Sequence, residues 1–399
     1  MTWLDLPSDD LFGIDNLPYG VFSPPGRHPR VGVRVGERVL DLADVLADPV
    51  FAEPTLNAFL AQGRGAWSAA RERIREVLTA ERHRAGAEAA LYRLDEVALR
   101  LPFEVGDYVD FYASEHHASN LGRLFRPDSD PLPANWKHLP IGYHGRSGTV
   151  VVSGTPVTRP CGQRRPPESA APVFGPSQRL DIEAEVGFVL GTGSPIGSRI
   201  GVGDFRDHVF GVCLVNDWSA RDLQAWEYVP LGPFLGKSFA TSVSPWIVPL
   251  DALEAAWTGL PVRDPEPLPY LADAGKDGLD LALSVRLNGQ EISTPPFAAM
   301  YWSGAQMLAH MTVNGAATRP GDLYASGTVS GPAASEAGSL IELTHGGTRP
   351  LTLPDGSVRG FLEDGDVITI SGTAPGRSGA RIGLGEVTGR IDPARLPTG

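Results

Sequence analysis

Apolar and polar residues alternate along several short stretches of the chain, and a period of two residues is typical of β-strands. Residues 31–40 alternate on both sides of a Gly–Glu pair, which predicts a hairpin. Residues 180–190 alternate most strongly, with Leu180, Ile182 and Val186 among the apolar side chains on one face. Further alternating or apolar runs predict strands at 149–153, 209–215, 281–290 (ending in an Asn–Gly turn), 340–343, 367–371 and 382–388.

Two other stretches have the 3.6-residue period of an α-helix. Residues 67–94 contain no proline and place Ile74, Val77 and Leu78 on one face, so we predict a helix there. Its arginines and glutamates are interpreted as a solvated face. Residues 297–311 carry an apolar stripe at helical spacing, which we interpret as core packing.

The content of glycine and proline supports a mainly β interpretation. The 399 residues include 47 Gly and 36 Pro, whereas a helix interior loses about 1 kcal/mol for each Gly and about 3 kcal/mol for each Pro. The sequence shows no repeat of fixed period, which argues against a solenoid or a propeller. We therefore predict a mainly β fold with some α-helix. The pattern of the first hundred residues differs from that of the rest, which predicts an N-terminal domain, 1–101, and a C-terminal domain, 102–399.

The net charge and the absence of long apolar or signal-peptide segments argue against nucleic-acid and membrane partners. The chain has 34 basic and 47 acidic side chains, a net charge of −13, which argues against a nucleic-acid partner because phosphate contacts need clustered Lys and Arg. Cys161 and Cys213 form no CxxC pair and suit a reducing compartment. No apolar run approaches the roughly 20 residues that span a bilayer, and no signal-peptide pattern is present. We therefore expect a soluble, cytoplasmic protein without a membrane partner.

The strongest chemical signal is a group of acids on one predicted strand. Alternation puts Asp181, Glu183 and Glu185 on the same face, with neighbouring carboxylates about 7 Å apart. Carboxylates at this spacing repel one another unless they are solvated, paired or bridged by a hard divalent cation. Taken alone, this motif is better explained as an ordinary solvent-facing strand edge. Asp110, beside aromatic residues, and Asp217, at the end of an apolar strand, favour the cation site.

A pair of histidines provides a candidate for proton transfer near neutral pH. His116 and His117 lie in the segment 114–120, a few residues after Asp110. Two adjacent histidines cannot both point to one face, so at most one of them is expected to be catalytic. The alternative is an ordinary surface histidine.

The segment 216–239 gathers cations, amides and carboxylates among aromatic residues and turn glycines. Such a set suits an anionic, oxygen-rich substrate held at a metal ion. The alternative interpretation is that this segment has no chemical role and is simply a helical turn followed by a loop. Its candidate residues are Asp217, Arg221, Gln224, Tyr228 and Lys237.

These motifs together resemble the fumarylacetoacetate hydrolase family. The resemblance runs from about residue 100 to the C-terminus and is weaker before it. The block from Asp217 to Lys237 is the most specific part, because it separates the chain from acylpyruvases, decarboxylases and hydratases of the wider superfamily. The matching segments are 110–120, 139–147, 151–156, 180–185, 216–222, 226–237, 325–332 and 383–386.

The resemblance implies a fold, an activity and partners. The fold would be an N-terminal SH3-like barrel followed by a mixed β-roll, and the assembly a homodimer. The activity would be the metal-dependent hydrolysis of the C–C bond of 4-fumarylacetoacetate, a small diketo acid, to fumarate and acetoacetate. This is the last step of tyrosine and phenylalanine breakdown. The cofactor would be a divalent cation, Mg²⁺ or Ca²⁺, and the sequence does not choose between them.

The resemblance also implies a role for each matched residue. His117, oriented by Glu342, would activate water, and the metal would stabilise the departing enolate. Lys237, Arg221 and Gln224 would stabilise the tetrahedral oxyanion. The metal ligands would be Asp110, Glu183, Glu185 and Asp217, with Lys237 and Thr241 at a second ion site. The substrate contacts would be Tyr112, Arg126, Tyr143, Gln224, Tyr228 and Thr328.

Three positions depart from the family pattern. Glu115 and His116 stand where animal members carry a basic residue and an amide, which places an extra negative charge beside His117. Ala240 stands in place of a usual glycine near the ion site. Two alternative activities on the same metal site are hydrolysis of a shorter acylpyruvate and decarboxylation of a 2-oxo acid. A non-catalytic, Ca²⁺-stabilised binding module is the alternative outside enzymes.

Overall fold

A computed structural model describes residues 2–273 and 275–396 of the chain. The strands are β1 (Tyr19–Ser23), β2 (Arg30–Val35), β3 (Arg38–Asp41), β4 (Leu91–Arg93), β5 (Ala98–Arg100), β6 (Tyr108–Phe111), β7 (Gly142–His144), β8 (Val150–Val152), β9 (Val157–Thr158), β10 (Cys161–Arg164), β11 (Val173–Pro176), β12 (Leu180–Asp181), β13 (Ala184–Leu190), β14 (Val209–Asp217), β15 (Ser219–Ala220), β16 (Thr241–Val243), β17 (Val248–Pro249), β18 (Trp257–Thr258), β19 (Gly278–Leu279), β20 (Ala282–Leu287), β21 (Gln290–Ser293), β22 (Leu323–Ala325), β23 (Leu351–Thr352), β24 (Val358–Arg359), β25 (Val367–Pro375) and β26 (Arg381–Asp392). The α-helices are α1 (Leu42–Leu46), α2 (Asn57–Leu60), α3 (Arg64–Thr79), α4 (Arg84–Ala89), α5 (Glu115–Phe125), α6 (Phe205–His208), α7 (Arg221–Glu227), α8 (Gly304–Thr312) and α9 (Leu340–Leu343). The predicted class, mainly β with some α, is confirmed.

The first part of the chain forms a barrel-like antiparallel sheet. Its strand order is β4-β3-β2-β1-β5. The predicted hairpin is present as β2 and β3, joined at Gly36, whose φ of +54° lies in the left-handed region that glycine adopts without strain. Helix α3 buries Ile74 and Leu78 in the apolar cluster under this sheet.

The long helix predicted at 67–94 ends earlier than expected. Helix α3 stops at Thr79, where Ala80 takes an extended backbone conformation. After the short helix α4, the chain forms strand β4, in which Leu91 pairs with Leu40 of β3. The prediction of one continuous helix is wrong. The helix is interrupted at Ala80, and residues 91–93 form a strand because pairing with β3, which is not local in sequence, outweighs their helix propensity.

Two larger sheets build the second part of the chain. One has the order β7-β6-β22-β13-β14-β16-β8, with β17 paired to β14, and the other has the order β21-β20-β25-β26-β9. Strand β14 is buried at every residue, as its continuous apolar run predicts for a central strand. In β25 buried and half-buried residues alternate, so one face packs on the large apolar cluster between these elements.

Two strand predictions in this part need correction. The run 180–190 is not one strand, because it breaks at Ile182 and Glu183, so that β12 pairs with β15 while β13 pairs with β14 and β22. The segment predicted as a strand at 340–343 is the helix α9. Its first two backbone N–H groups donate to the carboxylate of Asp181, a distant partner that sequence periodicity does not reveal.

The helix predicted at 297–311 is present in part. A single 3₁₀ turn covers Phe297–Ala299, and α8 follows after Ser303, whose side chain accepts a hydrogen bond from the backbone N–H of Gln306. The apolar stripe is largely buried, as its interpretation as core packing predicts: Met300 and Met307 are both almost completely covered. Among the helices of the described residues, none has the length and apolar character needed to cross a membrane.

Candidate active site

Adjacent strands of the larger sheet bring the acidic residues to one place. Strand β6 runs parallel to β22, which pairs with β13, which in turn pairs with β14. Asp110 lies in β6, Glu185 in β13 and Asp217 at the end of β14. Glu183 precedes β13, and its backbone carbonyl accepts a hydrogen bond from the N–H of Asp217 at 3.2 Å.

The four carboxylates form one buried cluster. Asp110, Glu183, Glu185 and Asp217 each offer an oxygen, and these oxygens all lie within 4.8 Å of one another. Two of the oxygens, Asp110 Oδ1 and Glu185 Oε1, are buried without a hydrogen-bond partner among the described residues. An all-oxygen set with unpartnered acceptors is the ligation that hard divalent cations prefer.

Two buried cations balance part of this charge. Lys237 Nζ lies 2.5 Å from Glu183 Oε2 and 2.7 Å from Asp217 Oδ2, and Arg221 Nη1 lies 2.7 Å from Glu183 Oε1. Burial alone would raise the pKa of Glu183, but Lys237, Arg221 and His117 hold that pKa below its usual value. Burial alone would lower the pKa of Lys237, but Asp217 and Glu183 hold it above its usual value, so the ammonium stays charged.

The remaining carboxylates are not balanced by protein groups. Burial and the charge of Asp217 raise the pKa of Asp110 well above its usual value. Burial and the charge of Asp110 do the same to Glu185. With all four carboxylates ionised, the cluster would carry two more negative charges than Lys237 and Arg221 neutralise, and a bound divalent cation would balance them. The residues present therefore fit a divalent metal ion.

A buried histidine lies beside the cluster. Ser114 caps helix α5 by accepting a hydrogen bond from the backbone N–H of His117, which fixes His117 in the first turn. His117 Nδ1 lies 2.7 Å from Glu342 Oε2, and Nε2 lies 4.0 Å from Glu183 Oε1. Because a carboxylate only accepts hydrogen bonds, Nδ1 carries the hydrogen and Nε2 is left as the basic nitrogen.

Three further side chains hold the carboxylate of Glu342, and sequence reasoning did not assign them. Asn120 Nδ2 donates to Oε1 at 2.9 Å, while the hydroxyls of Ser330 and Ser339 donate to Oε2 at 3.0 Å and 2.7 Å. Burial alone would raise the pKa of Glu342, but His117 and these donors hold it below its usual value. Asn120 follows His117 by one helical turn, which was the only signal available in the sequence.

A cavity of about 410 Å³ opens beside His117 and the cluster. The predicted substrate contacts all line it: Tyr112, Arg126, Tyr143, Gln224, Tyr228 and Thr328. Asp110, Glu183, Arg221 and Lys237 line it as well. Arg126 is at the exposed side, where its guanidinium donates to the Pro131 carbonyl at 2.9 Å. The hydroxyl of Thr328 is buried and has no hydrogen-bond partner among the described residues.

The predicted second ion position falls on the far side of Lys237. Thr241 Oγ1 donates to Asp217 Oδ1 at 3.0 Å. Thr241 and Lys237 both line a neighbouring cavity of about 540 Å³, and Tyr143 lines both cavities. Tyr143 also donates from its hydroxyl to Asp217 Oδ2 at 3.0 Å. Thr241 thus holds Asp217 in place but does not line the cavity beside His117.

Asp181 does not lie with the other acids of its segment. The break after β12 turns it away from the cluster, so the expectation that it shares a face with Glu183 and Glu185 is wrong. Of the three departures noted in the sequence, Glu115 is paired with Lys137 at 2.7 Å, which balances its charge. His116 is half-buried, and Ala240 is buried just before β16.

Comparisons with known proteins point to one family. The family described as "Fumarylacetoacetate (FAA) hydrolase C-terminal" matches residues 108–392, and the family described as "Fumarylacetoacetase N-terminal" matches residues 15–102. The chain is similar to fumarylacetoacetase of Homo sapiens, with 45% identity and 100% of both chains covered. It is also 45% identical to fumarylacetoacetase of Arabidopsis thaliana, with 98% of both chains covered.

Solved structures share the fold at lower sequence identity. The fumarylacetoacetate hydrolase from Exiguobacterium antarcticum has a TM-score of 0.56 at 18% identity, covering 95% of this chain and 100% of that one. The maleylpyruvate hydrolase from Sphingobium sp. SYK-6 has a TM-score of 0.55 at 16% identity, with the same coverage. The predicted fold type of the C-terminal part is confirmed.

Proposed function

The chain is a hydrolase of the fumarylacetoacetate hydrolase family, and we propose that it cleaves the C–C bond of 4-fumarylacetoacetate to give fumarate and acetoacetate. The observation that carries this proposal is the buried pair of His117 and Glu342, 2.7 Å apart, next to the four-carboxylate cluster. Similarity to fumarylacetoacetases over the whole chain supports the choice of substrate.

His117 acts as the general base in this proposal. Its Nε2 takes a proton from water, which then attacks one carbonyl of the 1,3-diketone. Glu342 holds the imidazole through Nδ1 and stabilises the positive charge that the ring gains. The buried position of both side chains keeps this interaction strong, because bulk water does not screen it.

Lys237, Arg221 and Gln224 stabilise the oxyanion that forms at the attacked carbonyl. All three line the cavity, and Arg221 and Lys237 are held in place by their ion pairs with Glu183. Donors fixed in advance at a buried site lower the barrier without having to reorganise during the reaction. Arg126, at the open side of the cavity, suits a carboxylate of the substrate.

Asp110, Glu183, Glu185 and Asp217 hold a divalent cation, Mg²⁺ or Ca²⁺, in this proposal. The two unpartnered oxygens and the excess negative charge of the cluster support it. When bound, such an ion supplies Lewis acidity to the oxygens of the diketone and to the enolate that departs as the C–C bond breaks. Lys237 and Thr241 form the proposed second ion position next to Asp217.

The remaining proposals concern the pathway, the cellular compartment, the domain boundary and the oligomeric state of the enzyme. We place the reaction at the end of tyrosine and phenylalanine breakdown in the cytoplasm, and we keep the boundary between domains 1–101 and 102–399. We also propose a homodimer. Three large apolar side chains of one segment, Val229, Leu231 and Phe234, have exposed fractions of 67%, 95% and 57%, and neighbouring exposed apolar side chains are typical of an interaction surface.

The direct test measures the loss of fumarylacetoacetate absorbance with and without a chelator. We expect turnover that the chelator abolishes and added divalent cation restores, and no turnover of acetylpyruvate or oxaloacetate. His117→Ala should lower kcat about 10²- to 10⁴-fold. His116→Ala is the matched control, since this neighbouring histidine is outside the cavity lining and should keep its activity. Full activity of His117→Ala would refute the proposed base.

A further inference from the structure

Asp181 is a fully buried carboxylate that the proposed reaction leaves without a role. It lies two residues before the metal-ligand candidate Glu183, yet it makes no contact with the cluster. Instead, its two oxygens accept hydrogen bonds from a side chain and from three backbone N–H groups. A buried carboxylate with this many charge-assisted bonds is held in one orientation.

One of these contacts fixes Arg221. The Nε–H of Arg221 donates to Asp181 Oδ2 at 2.8 Å, while Nη1 bonds Glu183 at 2.7 Å and Gln224 at 3.2 Å. Two anchors on one planar guanidinium set both its position and its plane. The third nitrogen, Nη2, is buried and has no hydrogen-bond partner among the described residues, while the Arg221 side chain lines the cavity.

Two other contacts fix the start of helix α9. The N–H of Leu340 donates to Asp181 Oδ1 at 2.7 Å, and the N–H of Ile341 donates to Oδ2 at 3.2 Å. These groups have no partners within the helix, because the first N–H groups of any helix lack them. The next residue is Glu342, which orients His117. The position of Asp181 therefore sets where this helix presents Glu342.

The backbone around Asp181 is itself held on both sides. The N–H of Arg221 donates to the carbonyl of Arg179 at 2.9 Å, and the N–H of Leu362 donates to the carbonyl of Leu180 at 2.8 Å. Asp181 pairs with Ser219 between strands β12 and β15. The carboxylate of Asp181 thus lies on a short strand, β12, that is hydrogen-bonded on both sides, and it contacts both α7 and α9.

We propose that Asp181 is a positioning residue that holds Arg221 and the helix bearing Glu342 in one fixed arrangement. The oxyanion donor and the base-orienting carboxylate come from segments more than a hundred residues apart in sequence, and one carboxylate bonds both. This inference rests on the proposed function, since it assigns Asp181 to the same reaction.

Asp181→Asn tests this arrangement with little change in shape. The amide keeps one acceptor for the N–H of Leu340, but its NH₂ group then faces the N–H groups of Arg221 and Ile341, donor against donor. Asp41→Asn is the matched control. Asp41 is also fully buried, lies 3.2 Å from the Nη1 of Arg30 and accepts a hydrogen bond from the first turn of α1.

We expect both variants to unfold at a lower temperature than the wild type. At saturating divalent cation, only Asp181→Asn should lose kcat, about 10- to 100-fold as is typical of residues that orient catalytic groups, with a smaller change in KM. A kcat within about twofold of the wild type, with the melting temperature lowered as in Asp41→Asn, would overturn the proposal because it indicates a purely structural role.

A double variant separates the contact to helix α9 from the contact to Arg221. In a Glu342→Gln background the orienting carboxylate is already lost, so Asp181→Asn should cost a smaller factor in kcat than it costs in the wild type. An equal factor in both backgrounds would overturn the link to Glu342. Absence of turnover in the wild type refutes the proposed function instead. In that case a crystal structure of the Asp181→Asn variant tests the positioning role of Asp181. The positioning role is refuted if Arg221 and Glu342 keep their wild-type positions.

Discussion

The pair of His117 and Glu342 permits a quantitative prediction for the substitution Glu342→Gln. The glutamine side chain has the same shape, so its oxygen can accept the hydrogen bonds that Oε2 now takes from His117, Ser330 and Ser339. Its NH₂ group would face Asn120, whose amide can rotate to present its oxygen. The substitution therefore removes the charge while leaving the geometry of the histidine largely intact.

The expected loss follows from the charge that forms during the reaction. In the proposed reaction His117 takes a proton from water, and the resulting imidazolium would lie beside Glu342, where both side chains are buried. At about 4 Å between charge centres and an effective dielectric constant of about 20, their attraction is about 4 kcal/mol. Since about 1.4 kcal/mol corresponds to a factor of ten in rate, kcat should fall about 10³-fold.

The assay is the loss of fumarylacetoacetate absorbance at saturating substrate and divalent cation. KM should change little, because Glu342 does not line the substrate cavity. Ser339→Ala is the matched control: it removes one donor to Glu342 but keeps the charge, so its kcat should fall far less. If Glu342→Gln keeps more than about a tenth of the wild-type kcat, the carboxylate does not stabilise an imidazolium in the transition state.

Three further predictions test the cluster, the cavity and the buried pair. Glu185→Gln should weaken Ca²⁺ binding on the order of tenfold or more, as measured by titration calorimetry, because ligand charge sets affinity; unchanged affinity would argue against the proposed ligand set. Arg126→Ala should raise KM about tenfold and leave kcat nearly unchanged, because it removes an exposed charge-assisted contact; a loss confined to kcat would contradict a binding role. The folded-state pKa of Glu342 lies below its usual value of 4.5, despite burial, because of His117 and the other donors. The ionised carboxylate of Glu342 therefore stabilises the fold fully above pH 4.5. This stabilisation is lost as the pH falls through the lower pKa that Glu342 has in the folded state. The difference in urea unfolding free energy between wild type and Glu342→Gln should shrink in acid, and a difference independent of pH would refute this assignment.

Local patterns predicted much of the fold because many of the strands obey them. The apolar run of β14 reflects burial on both faces of the strand, and the alternation of β25 reflects burial on one face. Periodicity says nothing about which strands become neighbours. The meeting of Asp110, Glu185 and Asp217 depends on β6, β22, β13 and β14 lying side by side, and only the resemblance to a family indicated it.

The failed predictions share a physical cause. Residues 340–343 are a short apolar run that we predicted as a strand, but the N–H groups of Leu340 and Ile341 donate to Asp181, about 160 residues earlier, and the segment is helical. Residues 91–93 were expected in the long helix, but they pair with strand β3, about 50 residues earlier. In both cases the partner is distant in sequence, and a single sequence does not show such partners.

The break between β12 and β13 connects the fold to the chemistry. An unbroken strand would place Asp181 beside Glu183 and Glu185, adding a fifth carboxylate to a cluster that Arg221 and Lys237 already fail to neutralise. Such an addition would increase repulsion at a buried site, where charges are poorly screened. With the break, Asp181 instead pairs with Arg221 on the side away from the cluster, and that guanidinium keeps its other nitrogens for Glu183 and for the cavity. The break at these two irregular residues, Ile182 and Glu183, thus separates Asp181, with its proposed positioning role, from Glu183 and Glu185, the proposed metal ligands.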